Sequence, residues 1–262
     1  MKQTDFQLSG GDRNAGTVYL PEGSPGQMPV VIVCHGWGGN RALDLFRQDL
    51  CSRLTDHGMA VVTFDFFGCG DTGGPYAEMT YGRWADNLAA IHAWVAGQAW
   101  ADPTRIGSLG ISSGSTAALR EARQHAEVAF VISIATCLGL YINMPRSPAR
   151  TFTQQAEALL DGGTVEVFDV PFPAAFFRDF VENAPIFDVG AIRCPVFFLQ
   201  GSKDNLFRRS DAWLGKELHL HAGMPVDYLE IEGGDHGLNQ EHEHSVAAIV
   251  SWLQSLAILA PA

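Results

Sequence analysis

The sequence predicts an α/β domain built on a mainly parallel sheet with helices on both faces. Three observations carry this prediction. Short β-branched or aromatic runs alternate with longer stretches of helical spacing. Several of those runs are apolar throughout, as strands buried on both faces must be. The chain has 262 residues, of which 47% are hydrophobic and 18% charged, enough to bury a sizeable core as one domain with an insertion.

In chain order, residues 1–20, with Gly10-Gly11 as a turn, predict an antiparallel hairpin leading into the sheet. Further strands are expected at 30–34, 60–64, 106–111, 130–134, 196–200 and 226–231, the hairpin itself supplying 17–20. Helical spacing marks residues 44–57, 84–96, 113–126, 211–220 and 244–256. The alternation breaks across 138–192, where proline, phenylalanine and short helical pieces replace it. That stretch is expected to be a small inserted cap, leaving 1–137 and 193–262 as the core. Its rings (Tyr141, Phe152, Phe168, Phe172, Phe176, Phe177, Phe180 and Phe187) would be unfavourable on an open surface. They are expected to pack over the carboxyl edge of the sheet, where open α/β sheets place their ligands, or to form the insertion's own core.

Composition excludes some functions. A formal net charge of -12 would repel both nucleic acid and an anionic membrane surface. Met1-Lys2-Gln3-Thr4-Asp5-Phe6 lacks the apolar core of a signal peptide, and no run approaches the roughly 20 apolar residues of a membrane span. The expected compartment is the cytoplasm. Cys34, Cys51, Cys69, Cys137 and Cys194 are odd in number and scattered, without a CxxC spacing, which suits reduced core thiols. His219 with His221, and His242 with His244, form H-x-H pairs. Residues two apart do not share a helix face, and no third ligand is near, so no metal is expected.

The most informative segment is Arg105-Ile106-Gly107-Ser108-Leu109-Gly110-Ile111-Ser112-Ser113-Gly114-Ser115, an apolar strand that runs into Gly-x-Ser-x-Gly and then into helix formers. That is the sequence form of a nucleophile elbow, in which a strained strand-to-helix turn holds a serine, here Ser112, toward substrate. A serine hydroxyl is a poor nucleophile near neutral pH. It needs a histidine base, which needs a carboxylate to set its tautomer and stabilise the imidazolium. Downstream, Gly201-Ser202-Lys203-Asp204-Asn205 follows one strand and Glu232-Gly233-Gly234-Asp235-His236-Gly237 the next, which nominates Asp204 and His236. Asp235 and Asp188 are competing carboxylates. Asp235 adjoins His236 and reaches its ring poorly, and Asp188 belongs to the insertion. The negative oxygen of an acyl-transfer intermediate calls for backbone N–H donors, each worth roughly 3 to 4 kcal/mol. Ser113 begins a helix, and Trp37 lies in the glycine-rich loop His35-Gly36-Trp37-Gly38-Gly39-Asn40, so these two are the candidate oxyanion donors. The Trp37 indole could also line an acyl pocket. His35 is expected to shape this loop by local hydrogen bonds.

From about residue 29 to the C-terminus the chain resembles the α/β-hydrolase superfamily. Within it, it is similar to bacterial feruloyl or cinnamoyl esterases and to dienelactone hydrolase-like serine esterases. The residues that carry this are His35-Gly36-Trp37-Gly38-Gly39, Phe64-Asp65-Phe66-Phe67-Gly68-Cys69-Gly70-Asp71-Thr72-Gly73-Gly74, the elbow, the 201–204 loop and Gly234-Asp235-His236, with the Ser, Asp, His order of that superfamily. The resemblance implies a triad of Ser112, Asp204 and His236, an oxyanion hole from Trp37 and Ser113, and an insertion ahead of the acid strand. Many of these esterases carry histidine before the nucleophile and glutamine after it, where this chain has Ile111 and Ser113. Cys69 stands where histidine is common. A dienelactone hydrolase proper would use cysteine in place of Ser112.

The expected activity is a serine carboxylesterase that works through an acyl-enzyme on a small-molecule ester, with an aromatic, feruloyl-like acyl group and no cofactor. Two rivals remain: an acylaminoacyl-type peptidase or amidase, and a non-catalytic binding module on the same fold. The sequence leaves a homodimer open.

Overall fold

In the computed structural model, which describes residues 1–23, 26–138, 162–167 and 170–260, the apolar runs pair into one eight-stranded sheet. Strands β1 (Lys2–Gln7) and β2 (Ala15–Leu20) form the expected N-terminal hairpin. The others are β3 (Met28–Cys34), β4 (Ala60–Phe64), β5 (Ala101–Ile111), β6 (Val131–Ile134), β9 (Val196–Gly201) and β10 (Val226–Ile231). Their spatial order is β1-β2-β4-β3-β5-β6-β9-β10, with β2 antiparallel to both its neighbours and every other pair parallel. Because β3, β5, β9 and β10 run in parallel, the loops that leave them open on one edge of the sheet. That edge carries every residue nominated from the sequence.

Alternation along the strands divides the core in two. Val30, Ile32 and Cys34 of β3 point to one face, against Trp84, Leu88 and Ile91 of helix α2 (Tyr81–Ala96) and Ala117 and Ala118 of α3 (Ser113–Gln124). Val31 and Val33 point to the other, against Phe46 and Leu50 of α1 (Leu45–Asp56) and Val246, Ile249 and Leu253 of the C-terminal helix (His242–Ser255). Each fully buried valine, leucine, isoleucine or phenylalanine among them contributes about 1.5–3 kcal/mol relative to exposure. Side-chain caps set two helix starts: Asp44 accepts from Arg47 N–H and Thr80 from Arg83 N–H. All five cysteines are free and buried, and burial pushes Cys51 and Cys194 up to about 12 and Cys69 to about 11. They are inert core thiols.

Within the expected cap lies a small hairpin that the sequence pattern does not mark, β7 (Thr164–Val167) and β8 (Val170–Pro173), followed by short helices of the expected kind, α4 (Ala174–Glu182) and α5 (Ile186–Val189). Asp179 of α4 ties this unit to the core by accepting from Gly82 N–H at 2.7 Å and facing Arg120 at 3.4 Å. Tyr141, Phe152 and Phe168 lie outside the described residues. Phe187 departs from the expectation for the cap rings: it is 76% exposed and covers neither the sheet edge nor a local core. It sits in a four-residue helix whose inward position is taken by Val189. Among the described residues two more α-helices follow: α6 (Arg209–His221), between β9 and β10, and the C-terminal one, α7.

Candidate active site

Ser112 sits between β5 and α3 with φ 57° and ψ -123°, a left-handed conformation that non-glycine residues adopt at a cost of about 1–3 kcal/mol. The strain persists because the surroundings overdetermine it. Ser112 N–H donates to Ile134 O at 2.9 Å, and Ser112 O accepts from both Ser115 N–H (2.9 Å) and Ser115 Oγ (2.7 Å). The flanking glycines are required by contact. A Cβ on Gly110 would lie 2.3 Å from Gly114 O, and one on Gly114 would lie 2.5 Å from both Cys34 O and His35 O. The elbow is thus pressed against the end of β3, and Ser112 is 8% exposed.

The same packing brings the glycine-rich loop to Ser112. A Cβ built on Gly36 would stand 3.1 Å from Ser112 Cβ and 3.6 Å from its Oγ. The loop closes as a turn, with Gly39 N–H donating to Gly36 O at 3.1 Å. His35 fixes its base: Nδ1 donates to Gly36 O at 2.7 Å, and Nε2 accepts from Phe66 N–H at 3.1 Å. Both ring nitrogens are committed to backbone, and the ring is edge-on to Phe66 and Trp84. Burial drives its pKa down to about 4, so it is neutral at pH 7. Trp37 follows, partly buried, its ring 6.0 Å from Trp84. Ser113 is the first residue of α3, where N–H groups have no carbonyl within the helix to bond. Tyr81, buried in α2, reaches Ser113 Oγ at 3.4 Å.

Behind this loop the buried Asp65 accepts from Arg41 N–H (2.6 Å) and Asp71 N–H (2.9 Å) and pairs with the Arg41 guanidinium, which also reaches Asp71 at 2.6 Å. This brace joins the segment after β3 to the segment after β4. Sequence reasoning quoted Asp65 only as part of a motif. An acid directly after an apolar strand, with an arginine after the neighbouring glycine-rich loop, was the available signal.

On the far side of the elbow, His236 Nδ1–H donates to Asp204 Oδ2 at 2.9 Å. Since a carboxylate only accepts, Nδ1 carries the proton and Nε2 presents a lone pair. Asp204 Oδ1 accepts from Leu206 N–H (2.8 Å) and Phe207 N–H (3.0 Å), and Gln200 Nε2 donates to Oδ2 at 2.8 Å. Burial pushes the Asp204 carboxyl up, but the hydrogen bond and charge of His236 and the two loop N–H groups pull harder, and the net shift is downward. Asp204 is an anion whose side chain is 1% exposed, against 23% for His236. The two loops are stitched together: Lys203 N–H donates to Gly234 O at 2.9 Å and Gly233 N–H to Ser202 Oγ at 2.9 Å. Phe207 flanks the imidazole at 5.3 Å. Asp235 turns instead toward Gln240 N–H, and Asp188 lies in α5 beside Arg120 and Arg123. Of the three carboxylates weighed from sequence, Asp204 is the one on the histidine.

The structure therefore forms two clusters on one sheet edge, Ser112 with the 35–39 loop and Asp204 with His236. No hydrogen bond joins Ser112 Oγ to His236 among the described residues. Gln200 and Phe207 were missed from sequence, although an amide that ends an apolar strand just ahead of an acid loop is a usable sign. Of the H-x-H histidines, His219 places its ring nitrogens 3.2 Å from Val189 O and 3.0 Å from Cys194 O, and His242 faces Asp49. Among the described residues, no helix is long and apolar enough to cross a membrane.

A family model described as X-Pro dipeptidyl-peptidase (S15 family) matches residues 10–164, which takes in the glycine-rich loop and the elbow. An uncharacterised protein of Mycobacterium tuberculosis is 30% identical over 219 residues, 83% of this chain and 66% of that protein, so the chain spans just under two thirds of this relative. Est1E from Butyrivibrio proteoclasticus with ferulic acid bound has a TM-score of 0.75 at 16% identity, covering 93% of this chain and 95% of that one. A puromycin-hydrolysing peptidase of M. tuberculosis has a TM-score of 0.74 at 21% identity, covering 97% of this chain and 39% of that one. These structural likenesses show an α/β-hydrolase fold.

Proposed function

The chain belongs to the X-Pro dipeptidyl-peptidase (S15) family, and from that premise we propose that it is a serine hydrolase with Ser112 as nucleophile, His236 as general base and acid, and Asp204 as the carboxylate that orients it. His236 Nε2 takes the Ser112 proton as Oγ attacks the carbonyl. The backbone N–H groups of Trp37 and Ser113 hold the resulting oxyanion. Collapse releases the leaving group, which receives the proton from His236, and leaves an acyl-Ser112. Water, deprotonated by the same imidazole, then releases the acid and restores the enzyme. Asp204 stays ionised throughout. No cofactor takes part.

The observation that carries this reading is the 2.9 Å hydrogen bond from His236 Nδ1 to the buried Asp204, on the same sheet edge as a serine held at φ 57°. It fixes the tautomer that the reaction needs. For the substrate we favour a carboxylic ester with an aromatic acyl group. Trp37 next to the nucleophile and the ferulic acid held by Est1E, a protein of the same fold, support that choice. Amide or peptide hydrolysis is the second reading, favoured by the family match and by the puromycin-hydrolysing peptidase. Matched aryl esters and amides with a common acyl group, followed by kcat/KM and by intact mass of the quenched enzyme, test both. Faster ester turnover with an acyl adduct is expected. Preference for the amide would move the assignment to the peptidase reading, and absence of any acyl adduct would remove the covalent mechanism.

A further inference from the structure

We infer that Gln200 is a positioning residue that holds the Asp204 carboxylate in line with His236, an inference that rests on the proposed triad. Gln200 is the polar end of the apolar run Val196-Phe197-Phe198-Leu199, and it is 0% exposed. Its Nε2 donates at 2.8 Å to Asp204 Oδ2, the same oxygen that accepts from His236 Nδ1. The backbone N–H groups of Leu206 and Phe207 occupy Oδ1. A carboxylate offers about four acceptor sites, and all four are taken. Two loop donors fix one oxygen, and Gln200 fixes the other at the position the imidazole uses.

The amide orientation is dictated by chemistry. Turned over, Oε1 would face Oδ2 of an anion, so only the Nε2 approach is attractive. The residue then leaves Oε1 buried without a hydrogen-bond partner among the described residues. That is unfavourable for folding. Val196 and Phe198, the residues that share its face of β9, sit in the apolar core, and a side chain selected for stability at this position would be apolar too. A donor kept at such a place acts on Asp204. The arrangement predicts a separation of activity from stability that an ordinary buried hydrogen bond would not produce.

Three measurements on the full chain test this. Gln200→Met keeps the side-chain length and removes both the donor and the orphaned oxygen. Its kcat is expected to fall roughly tenfold, the size of a lost hydrogen bond to a charged group. KM should stay within about twofold, because Gln200 is sealed from substrate. The melting temperature should hold within a few degrees. Gln200→Glu keeps the shape and swaps the donor for an oxygen, and its kcat should fall at least as far. Finally, the strongly deshielded proton on His236 Nδ1, seen by NMR without any turnover, should shift or broaden in both variants. Wild-type kcat with an unmoved resonance in Gln200→Met would overturn the inference. So would a loss of activity matched by a loss of melting temperature with the resonance unmoved. The NMR readout separates this inference from the reaction itself: if Ser112 takes no covalent adduct the hydrolase reading fails, while a shifted resonance still supports the role of Gln200 at Asp204.

Discussion

The two histidines at the sheet edge, His35 in the glycine-rich loop and His236 on Asp204, share a chemistry and differ in everything that surrounds them. His35 is 3% exposed, has both nitrogens bound to backbone, faces no carboxylate within hydrogen-bond distance, and is driven neutral by burial. His236 is partly open, has one nitrogen on a buried anion and the other free of backbone. The first is a rivet, and the second has the surroundings that the proposed base requires. The difference follows from the loops. The 35–39 turn is anchored directly to the end of β3 and to Phe66, whereas the 233–238 loop is tied to the acid loop and leaves its imidazole projecting. A titratable residue in a catalytic-looking motif acquires its role from the partners of both its ring nitrogens.

Substitutions sharpen that contrast in a graded way. The largest expected effect is from Ser112→Ala, which should lower kcat by a factor on the order of 10⁴ or more while the protein stays folded. Relief of the left-handed serine is not provided by alanine, so melting should change little. Asp204→Asn should lower kcat by roughly 10³–10⁴, because an amide can donate to His236 Nδ1 and thereby select the wrong tautomer. Steady-state kinetics with a common aryl ester check both. Next, Gly114→Ala drives a methyl group to 2.5 Å from two backbone oxygens of the β3 end and should destabilise by more than about 2 kcal/mol. Thermal melting measures it, and an unchanged melting temperature would break the claim that elbow and glycine-rich loop are locked together.

Confined to acid conditions is a pH dependence of stability from His35. Its pKa is about 4 in the fold and near 6.5 when unfolded. Between those values the unfolded chain binds the proton and the native chain does not. The stabilisation is therefore complete above about pH 6.5 and is lost as pH falls toward 4, by an amount on the order of 3 kcal/mol. Denaturant melts between pH 7 and 4.5 should show that slope, and His35→Gln should flatten it. Asp204 acts in a lower window. Its carboxyl is held below the ordinary value near 3.9, so its contribution is present above that value and disappears only as pH falls through the depressed one.

Much of this edge was legible in the sequence because local rules and long-range packing agree there. The strands at 60–64 and 226–231 have the bounds expected from their residues alone, since β-branched runs bounded by turns have few alternatives. Gly110 and Gly114 announced a close approach, and the neighbours they approach are the carbonyls of Cys34 and His35. The pairing of Asp204 rather than Asp235 with His236 followed from which loop could reach the ring. What stayed hidden was set by which side chains meet once the strands and loops are in place. Gln200 looked like a strand end, and only Asp204 gives it a purpose. Asp65 and Arg41 come from segments after different strands, and no local pattern pairs them. The small hairpin of 164–173 escaped because two four-residue strands, one of them carrying Pro171 and Pro173, show little periodicity.

The central claim is that Ser112 is made nucleophilic by His236 and Asp204. Reaction with a fluorophosphonate, followed by peptide mapping and by labelling rates in Asp204→Asn and Gln200→Met, tests it most directly. The expected result is one stoichiometric adduct on Ser112, formed far more slowly without Asp204 and moderately more slowly without the Gln200 donor. An adduct on another residue, or a labelling rate indifferent to Asp204, would contradict it.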